Sequence, residues 1–269
     1  MMREYFDLER QIVHLVIDKS VMFERYEIDV AEELLRDNNY RNFVSCSKIK
    51  FAELIGINLI MYKTASFKEW KAYFEMDCRV SKYLIGNLIS FERTINSRVS
   101  HHISSLMSED LLSNFEKNAV IQIISQLKDR RDVTFSDYDG DETWFYVPKM
   151  TLGEMKELLF WLKKYRPKIY FEVVKGYRFL QSKEFAKKRF VEINRLRNDL
   201  CHFRPLNVYI THGNLNSSNR KRMNNKFRKE AVDFIFRLHP NREISTAIKQ
   251  IFENSDNYVE IKNNQRNVG

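Results

Sequence analysis

Between Ser66 and Met107 the chain carries no proline, and its apolar residues recur at helical spacing. Trp70, Phe74, Met76, Val80, Leu84, Leu88, Phe91, Ile95, Val99 and Ile103 form most of one stripe. One straight helix over that stretch would measure about 60 Å, more than a compact domain's diameter, so a break is expected near Gly86 or near His101-His102. Only 7 Gly and 4 Pro punctuate 269 residues. That is too few for the many tight turns of a sandwich or barrel, and the expected fold class is all-α.

The remaining pattern supports the same class. Arg3 to Lys19 reads as a one-faced helix, Asp29-Val30-Ala31-Glu32 as the capped start of a short one, and Asn38-Asn39 as a stop. Tyr40 to Thr64 suggests short helices. Ser66-Phe67-Lys68-Glu69 is a capping box, and Ser108-Glu109-Asp110 marks a restart. Asp129 to Lys149 breaks the periodicity: Tyr138-Asp139-Gly140-Asp141 is a turn signal, and Trp144-Phe145-Tyr146-Val147 fits a short strand or docked loop. The cluster Asp137, Asp139, Asp141 and Glu142 lacks the spacing of a calcium loop. Thr151 to Glu154 caps a helix, Pro167 opens another reaching about Gln181, and Ser182 opens a third that ends before Pro205. Asn207 to Ser218 reads as a polar turn region and Asn219 to Leu238 as a basic amphipathic helix. Ile244 to Phe252 reads as a last short helix. The expected organisation is one helical domain over 1–253 and a frayed polar tail over 254–269.

Charge is unevenly placed. From Lys183 to Lys229 there are 13 Lys and Arg against three acids, an excess of +10 where the whole chain carries +9. A basic segment of this kind suits a nucleic-acid partner. With 43% hydrophobic and 13% aromatic residues the chain is not globally disordered. No apolar run approaches the roughly 20 residues of a membrane span, and the N-terminus lacks a secretory stretch. Three scattered cysteines, Cys46, Cys78 and Cys201, have no metal-ligand spacing. A cytoplasmic protein with reduced thiols, no cofactor, no metal and no membrane association is expected.

The chemistry concentrates in Arg197-Asn198-Asp199-Leu200-Cys201-His202. Arginine suits the extra negative charge of a phosphoryl-transfer transition state, and histidine moves protons near neutral pH. RNA cleavage can run on that set, because the substrate's own 2′-hydroxyl is the nucleophile. Phe190, Ile193, Leu196, Leu200 and Phe203 make one apolar stripe, with Asn194, Asn198 and His202 nearly opposite. At roughly 100° per residue, Arg197 stands about 140° from His202. The two do not converge from one straight helix. Either His202 leaves the helix at its unwinding end, or a two-fold dimer completes the site. The other histidines lack such company. Lys187, Lys188, Arg189, Arg195, Arg204, Arg220, Lys221 and Arg222 are the candidate RNA contacts.

The same residues resemble the Arg-Asn-x-x-x-His signature of HEPN ribonuclease domains, and more of the chain is similar to their Abi-like (AbiD/AbiF) abortive-infection branch. Ala31 to Arg41 resembles that branch's "L…NYYR" segment. Ser66-Phe67 through Tyr73 and Asp77, then Phe91-Glu92, is similar to its "F…Y…D…IE" helices, and Val147 to Gly153 to its mid-chain segment. The likeness spans roughly Phe23 to Asn207. It implies a HEPN-like antiparallel helical bundle with additional N- and C-terminal helices, a homodimer with a composite site, and metal-independent endoribonuclease activity against phage. It further implies that Arg197 stabilises the phosphate, His202 acts as acid and base, Asn198 orients one of them or the RNA, and Glu92 braces the arginine. An inhibitory partner, a protein antitoxin or a non-coding RNA, is a common accompaniment of such domains. Two departures stand out: the residues after His202 lack the usual small-residue and Trp-Asn pattern, and Asn96 stands where the family has an arginine. Two rival readings remain, a non-catalytic RNA-binding protein of a phage-defence or toxin–antitoxin system and a module whose basic helix docks an acidic protein.

Overall fold

The computed structural model describes residues 7–55, 59–128, 147–182, 184–212 and 219–266. Among them are twelve α-helices and two two-stranded sheets, and the fold is all-α. The chain divides into two compact units: Met1–Ile85 with Leu196–Gly269, and Gly86–Arg195.

In the first unit, α1 (Leu8–Lys19) opens on Asp7, whose carboxylate accepts from the Arg10 amide at 2.9 Å. Helices α2 (Glu27–Asn38) and α3 (Tyr40–Phe51) are separated by Asn39 alone. Its φ of 59° ends the first helix, and its side-chain oxygen accepts from the Arg41 amide to cap the second. Where short helices were expected to continue, β2 (Ala52–Ile55) and β3 (Leu59–Tyr62) form an antiparallel hairpin with Ala52 opposite Tyr62. A short apolar run fits helix or strand equally well by periodicity. Strand β1 (Val21–Met22) lies parallel to β4 (Ala65–Ser66).

Helix α4 (Phe67–Ser108) is continuous over 42 residues, without the expected break. Neither Gly86 nor the histidine pair removes a helical hydrogen bond as proline would, and a Cβ at Gly86 would meet nothing within 4 Å. The capping box at its start is formed: the Ser66 amide donates to Glu69 Oε2 at 2.9 Å, and the Glu69 amide to Ser66 Oγ at 3.3 Å. The stripe from Trp70 to Ile103 is buried, Met76 only partly. Each such side chain contributes roughly 1.5–3 kcal/mol on leaving water. Around the first turns, Phe51 stacks on Trp70 at 5.2 Å and Phe43 meets Phe74 edge-on at 5.5 Å.

In the second unit, α5 (Asn114–Lys128) starts at a Ser113–Glu116 capping box, later than the restart expected at Ser108. A short 3-10 turn at Val147–Lys149 leads to α6 (Leu152–Tyr165), opened by the Thr151–Glu154 capping box. Pro167 begins α7 (Pro167–Val173), which stops well before Gln181. The Arg98 guanidinium donates to the Val173 and Lys175 carbonyls, at 2.9 and 2.8 Å, and so closes that end. Gly176, at φ 87°, then turns the chain into α8 (Arg178–Gln181). Helix α9 (Ala186–Cys201), whose residues from Leu196 on belong to the first unit, follows Ser182, whose hydroxyl accepts from the Phe185 amide at 3.3 Å. Its Phe190 lies 6.4 Å from Phe91.

The C-terminal helices of the first unit replace two expected loops. Leu206–His212 forms α10, with Leu206, Asn207, Tyr209, Ile210 and Thr211 buried, where a turn region was expected. After α11 (Asn219–Phe236), α12 (Arg242–Arg266) runs through the expected tail. Ile248, Ile251, Ser255 and Tyr258 are buried at helical spacing, and Tyr258 packs with Ile49 and Ala52. The expected strand or loop at Trp144-Phe145-Tyr146 and the acidic cluster Asp137 to Glu142 lie outside the described residues. Among the described residues no helix is long and apolar enough to cross a membrane.

Helix α10 is anchored from a distance. The buried Asp77 carboxylate accepts from the Leu206 amide at 2.7 Å and the Asn207 amide at 3.0 Å, while Asn207 Nδ2 donates to the Cys46 carbonyl at 2.8 Å. Burial pushes the Asp77 carboxyl from 3.8 up to about 6, opposed by the Asn207 and Leu206 amides. The folded state therefore holds this proton more tightly than the unfolded chain. Its stabilising contribution is full below the unfolded value and is lost as pH rises through the folded one. Asp77→Asn abolishes that titration. The stability of the native protein minus that of Asp77→Asn should fall by up to about 3 kcal/mol between about pH 4 and about pH 7. Urea unfolding across that range measures it, and a pH-independent difference would refute the titration.

Candidate functional site

The apolar face of α9 buries Phe190, Ile193, Leu196 and Leu200, as their spacing predicts. Phe203 departs from the stripe and is 83% exposed. The cause is how the helix closes. The His202 amide still bonds Asn198 O at 3.1 Å, but the Phe203 amide reaches Leu200 O at 3.0 Å and the Arg204 amide reaches Asp199 O at 2.9 Å. Phe203 has φ 55°, so the end is a Schellman closure with phenylalanine in the left-handed position that glycine usually fills. For a side chain of that size the conformation costs roughly 1–2 kcal/mol.

His202 is thus the capping residue, exposed, with the chain leaving the helix directly after it. Two long-range tethers hold the departing chain: Asn42 Nδ2 donates to the Phe203 carbonyl at 3.0 Å, and Asp77 holds Leu206 and Asn207. The Asn42 bond also brings the first turn of α3, Tyr40-Arg41-Asn42, against the end of the motif. Sequence reasoning missed this tether. Pro205, three residues past the cap, was the available signal that the chain must turn there.

Within the motif, Arg197 is half-buried and its Nη1 donates a long bond to Asn198 Oδ1, 3.4 Å, while Asn198 itself is exposed. Asp199 Oδ1 accepts from Arg204 Nη1 at 3.0 Å. The three residues read from sequence as catalytic therefore lie within the last turn and a half of one helix and its cap, and Asn198 and His202 are open to solvent.

The candidate RNA contacts fare unequally. Lys187 and Lys188 are exposed. Arg189 lies 4.9 Å over the Phe179 ring and donates to the Phe179 carbonyl at 3.0 Å. Arg195 pairs at 2.6 Å with Glu192, a buried acid, and Arg204 pairs with Asp199. These three arginines are engaged by the protein's own acceptors. Arg220, Lys221 and Arg222 belong to α11, but their side chains lie outside the described residues.

Glu92, in the second unit, accepts from the Leu152 amide at 2.8 Å through Oε1 and so contributes to capping α6. With Arg93, Asn96, Ser97, His101 and Met150 it lines a cleft of about 560 Å³. Asn96, where the resembled family has arginine, is buried and donates to the Met150 carbonyl at 2.8 Å. Among the described residues no group of three or more His, Cys, Asp or Glu side chains is assembled as a metal site.

No family model matches the chain, and neither the curated proteins nor the solved structures yield a match.

Phe203→Gly removes both the left-handed strain and the exposed ring, against the greater freedom of glycine in the unfolded chain. The variant should be more stable by about 0.5–1 kcal/mol in chemical unfolding. A loss of stability would mean that the ring packs in the folded protein.

Proposed function

We propose that this chain is a metal-independent endoribonuclease of the HEPN type, allied to the Abi-like abortive-infection branch and acting as a homodimer. The observation that carries the reading is the placing of Arg197, Asn198 and His202 at one closed helix end, with the amide and the imidazole exposed. An imidazole there reaches solvent-borne substrate, and the guanidinium one turn back supplies fixed positive charge. In the proposed reaction an RNA 2′-hydroxyl attacks the adjacent phosphorus while His202 takes its proton. The bond to the 5′-oxygen then breaks, and that oxygen is protonated as it leaves. Arg197 offsets the charge on the non-bridging oxygens. The products are a 2′,3′-cyclic phosphate and a 5′-hydroxyl. The substrate brings its own nucleophile, so no metal-bound water is needed.

A second motif across a two-fold axis would supply the partner group that one copy does not bring to the same phosphate. A toxin of this kind would act on RNA in the cytoplasm and be restrained by an antitoxin, of protein or non-coding RNA. Lys187 remains the best-placed phosphate contact on α9, since Lys188 lies 5.5 Å over the Phe185 ring and Arg189 and Arg195 have protein partners, as does Arg204 beyond the helix end.

Purified protein incubated with total RNA should cleave it equally with and without EDTA. His202→Ala and Arg197→Ala should each reduce the rate by at least about 100-fold while leaving the unfolding transition in place. Full cleavage by either folded variant, or strict dependence on a divalent metal, would overturn the assignment. RNA bound but never cut, with His202→Ala binding as tightly, would instead identify a non-catalytic RNA-binding protein.

A further inference from the structure

Phe203 is the most exposed of the large apolar side chains described, and it stands immediately after His202. Isolated exposed apolar residues need no explanation. This one combines exposure with a backbone conformation that a bulky residue avoids. Glycine or asparagine would occupy φ 55° with less strain and leave no ring in water. The conformation is also held in place, by the two Schellman bonds and by Asn42 Nδ2 on the Phe203 carbonyl. The ring is therefore displayed on a fixed backbone rather than on a frayed end. Arg204, paired with Asp199, follows it, and Arg41, exposed, precedes the tethering Asn42. Strain retained at one residue beside a candidate acid–base group is the pattern of a functional contact.

We propose that Phe203 is a stacking platform for an unpaired nucleobase of single-stranded RNA, seating the nucleotide next to the phosphate that His202 addresses. The proposal rests on the nuclease reading above. An aromatic face binds any base and requires that base to be out of its helix, which makes the preferred substrate a loop or single strand rather than duplex RNA. The exposed Arg41 beside the Asn42 tether serves a phosphate next to the stacked base.

The test uses full-length protein and a short single-stranded RNA carrying the fluorescent base 2-aminopurine. Binding is measured in His202→Ala protein, to separate it from cleavage, with and without a second change at Phe203. Phe203→Asn tolerates the left-handed backbone; it should weaken binding roughly 5- to 100-fold, the loss of one base–aromatic stack, and abolish the quenching of the analogue. Phe203→Trp should keep both. Equal affinity and equal quenching in Phe203→Asn would overturn the platform. So would sedimentation showing that Phe203→Asn separates a dimer into monomers, which would assign the ring to a subunit contact. The two proposals fail separately. Cleavage that ignores Phe203 removes only the platform, whereas Phe203-dependent binding without any cleavage by native protein removes only the nuclease reading.

Discussion

The buried carboxylate of Asp77 is the interaction on which the arrangement of the site depends. It sits on α4, 129 and 130 residues before the two amides it holds. Those amides open α10, which begins directly after Pro205, so the chain leaving the motif helix has a fixed destination. A carboxylate wholly out of water is costly unless its oxygens are bonded, and here the first amides of a helix supply the bonds. The Ser81 hydroxyl donates a third bond to Oδ1, at 3.3 Å. The rise of the Asp77 pKa records that desolvation still outweighs these bonds. The anchor thus trades stability for geometry, and that geometry ends at His202.

Between the last turn of α9 and the first of α10 lie only His202, Phe203, Arg204 and Pro205. Asn42 holds the middle of this span and Asp77 its far end. The start of α3 and the exit from α9, distant in sequence, meet through the Asn42–Phe203 bond. A tight Schellman closure followed by proline leaves little freedom for the imidazole's backbone. In the proposed reaction such pre-organisation would let the imidazole meet a developing charge without first rearranging.

The basic segment looks different once its partners are known. Its excess of charge is real, but part of it is structural: Arg189 serves a carbonyl and a ring, Arg195 neutralises buried Glu192, and Arg204 pairs with Asp199. Glu192 in particular needs its cation, because an unpaired acid at that depth would lose most of its hydration. Charge counted along a sequence therefore overstates the charge offered to a ligand.

What the sequence determined by itself was local. The buried stripe of α4, the apolar face of α9 and the capping boxes at Ser66 and Thr151 all rest on contacts three or four residues apart. Helical periodicity and capping chemistry register those contacts directly. That Arg197, Asn198 and His202 fall at the end of one helix was legible for the same reason. What the tertiary structure alone decided has partners far away: the Asp77 cap on α10, the Asn42 tether, the Glu92 bond to Leu152, and the burial that makes Leu206–His212 and the end of α12 helical. Polar residues there look like loop or tail until a distant acceptor or apolar surface is supplied. The outward turn of Phe203 escaped the periodicity because a stripe places a residue on a face only while the helix lasts; the local Schellman bonds end this one, and the Asn42 tether holds the exit.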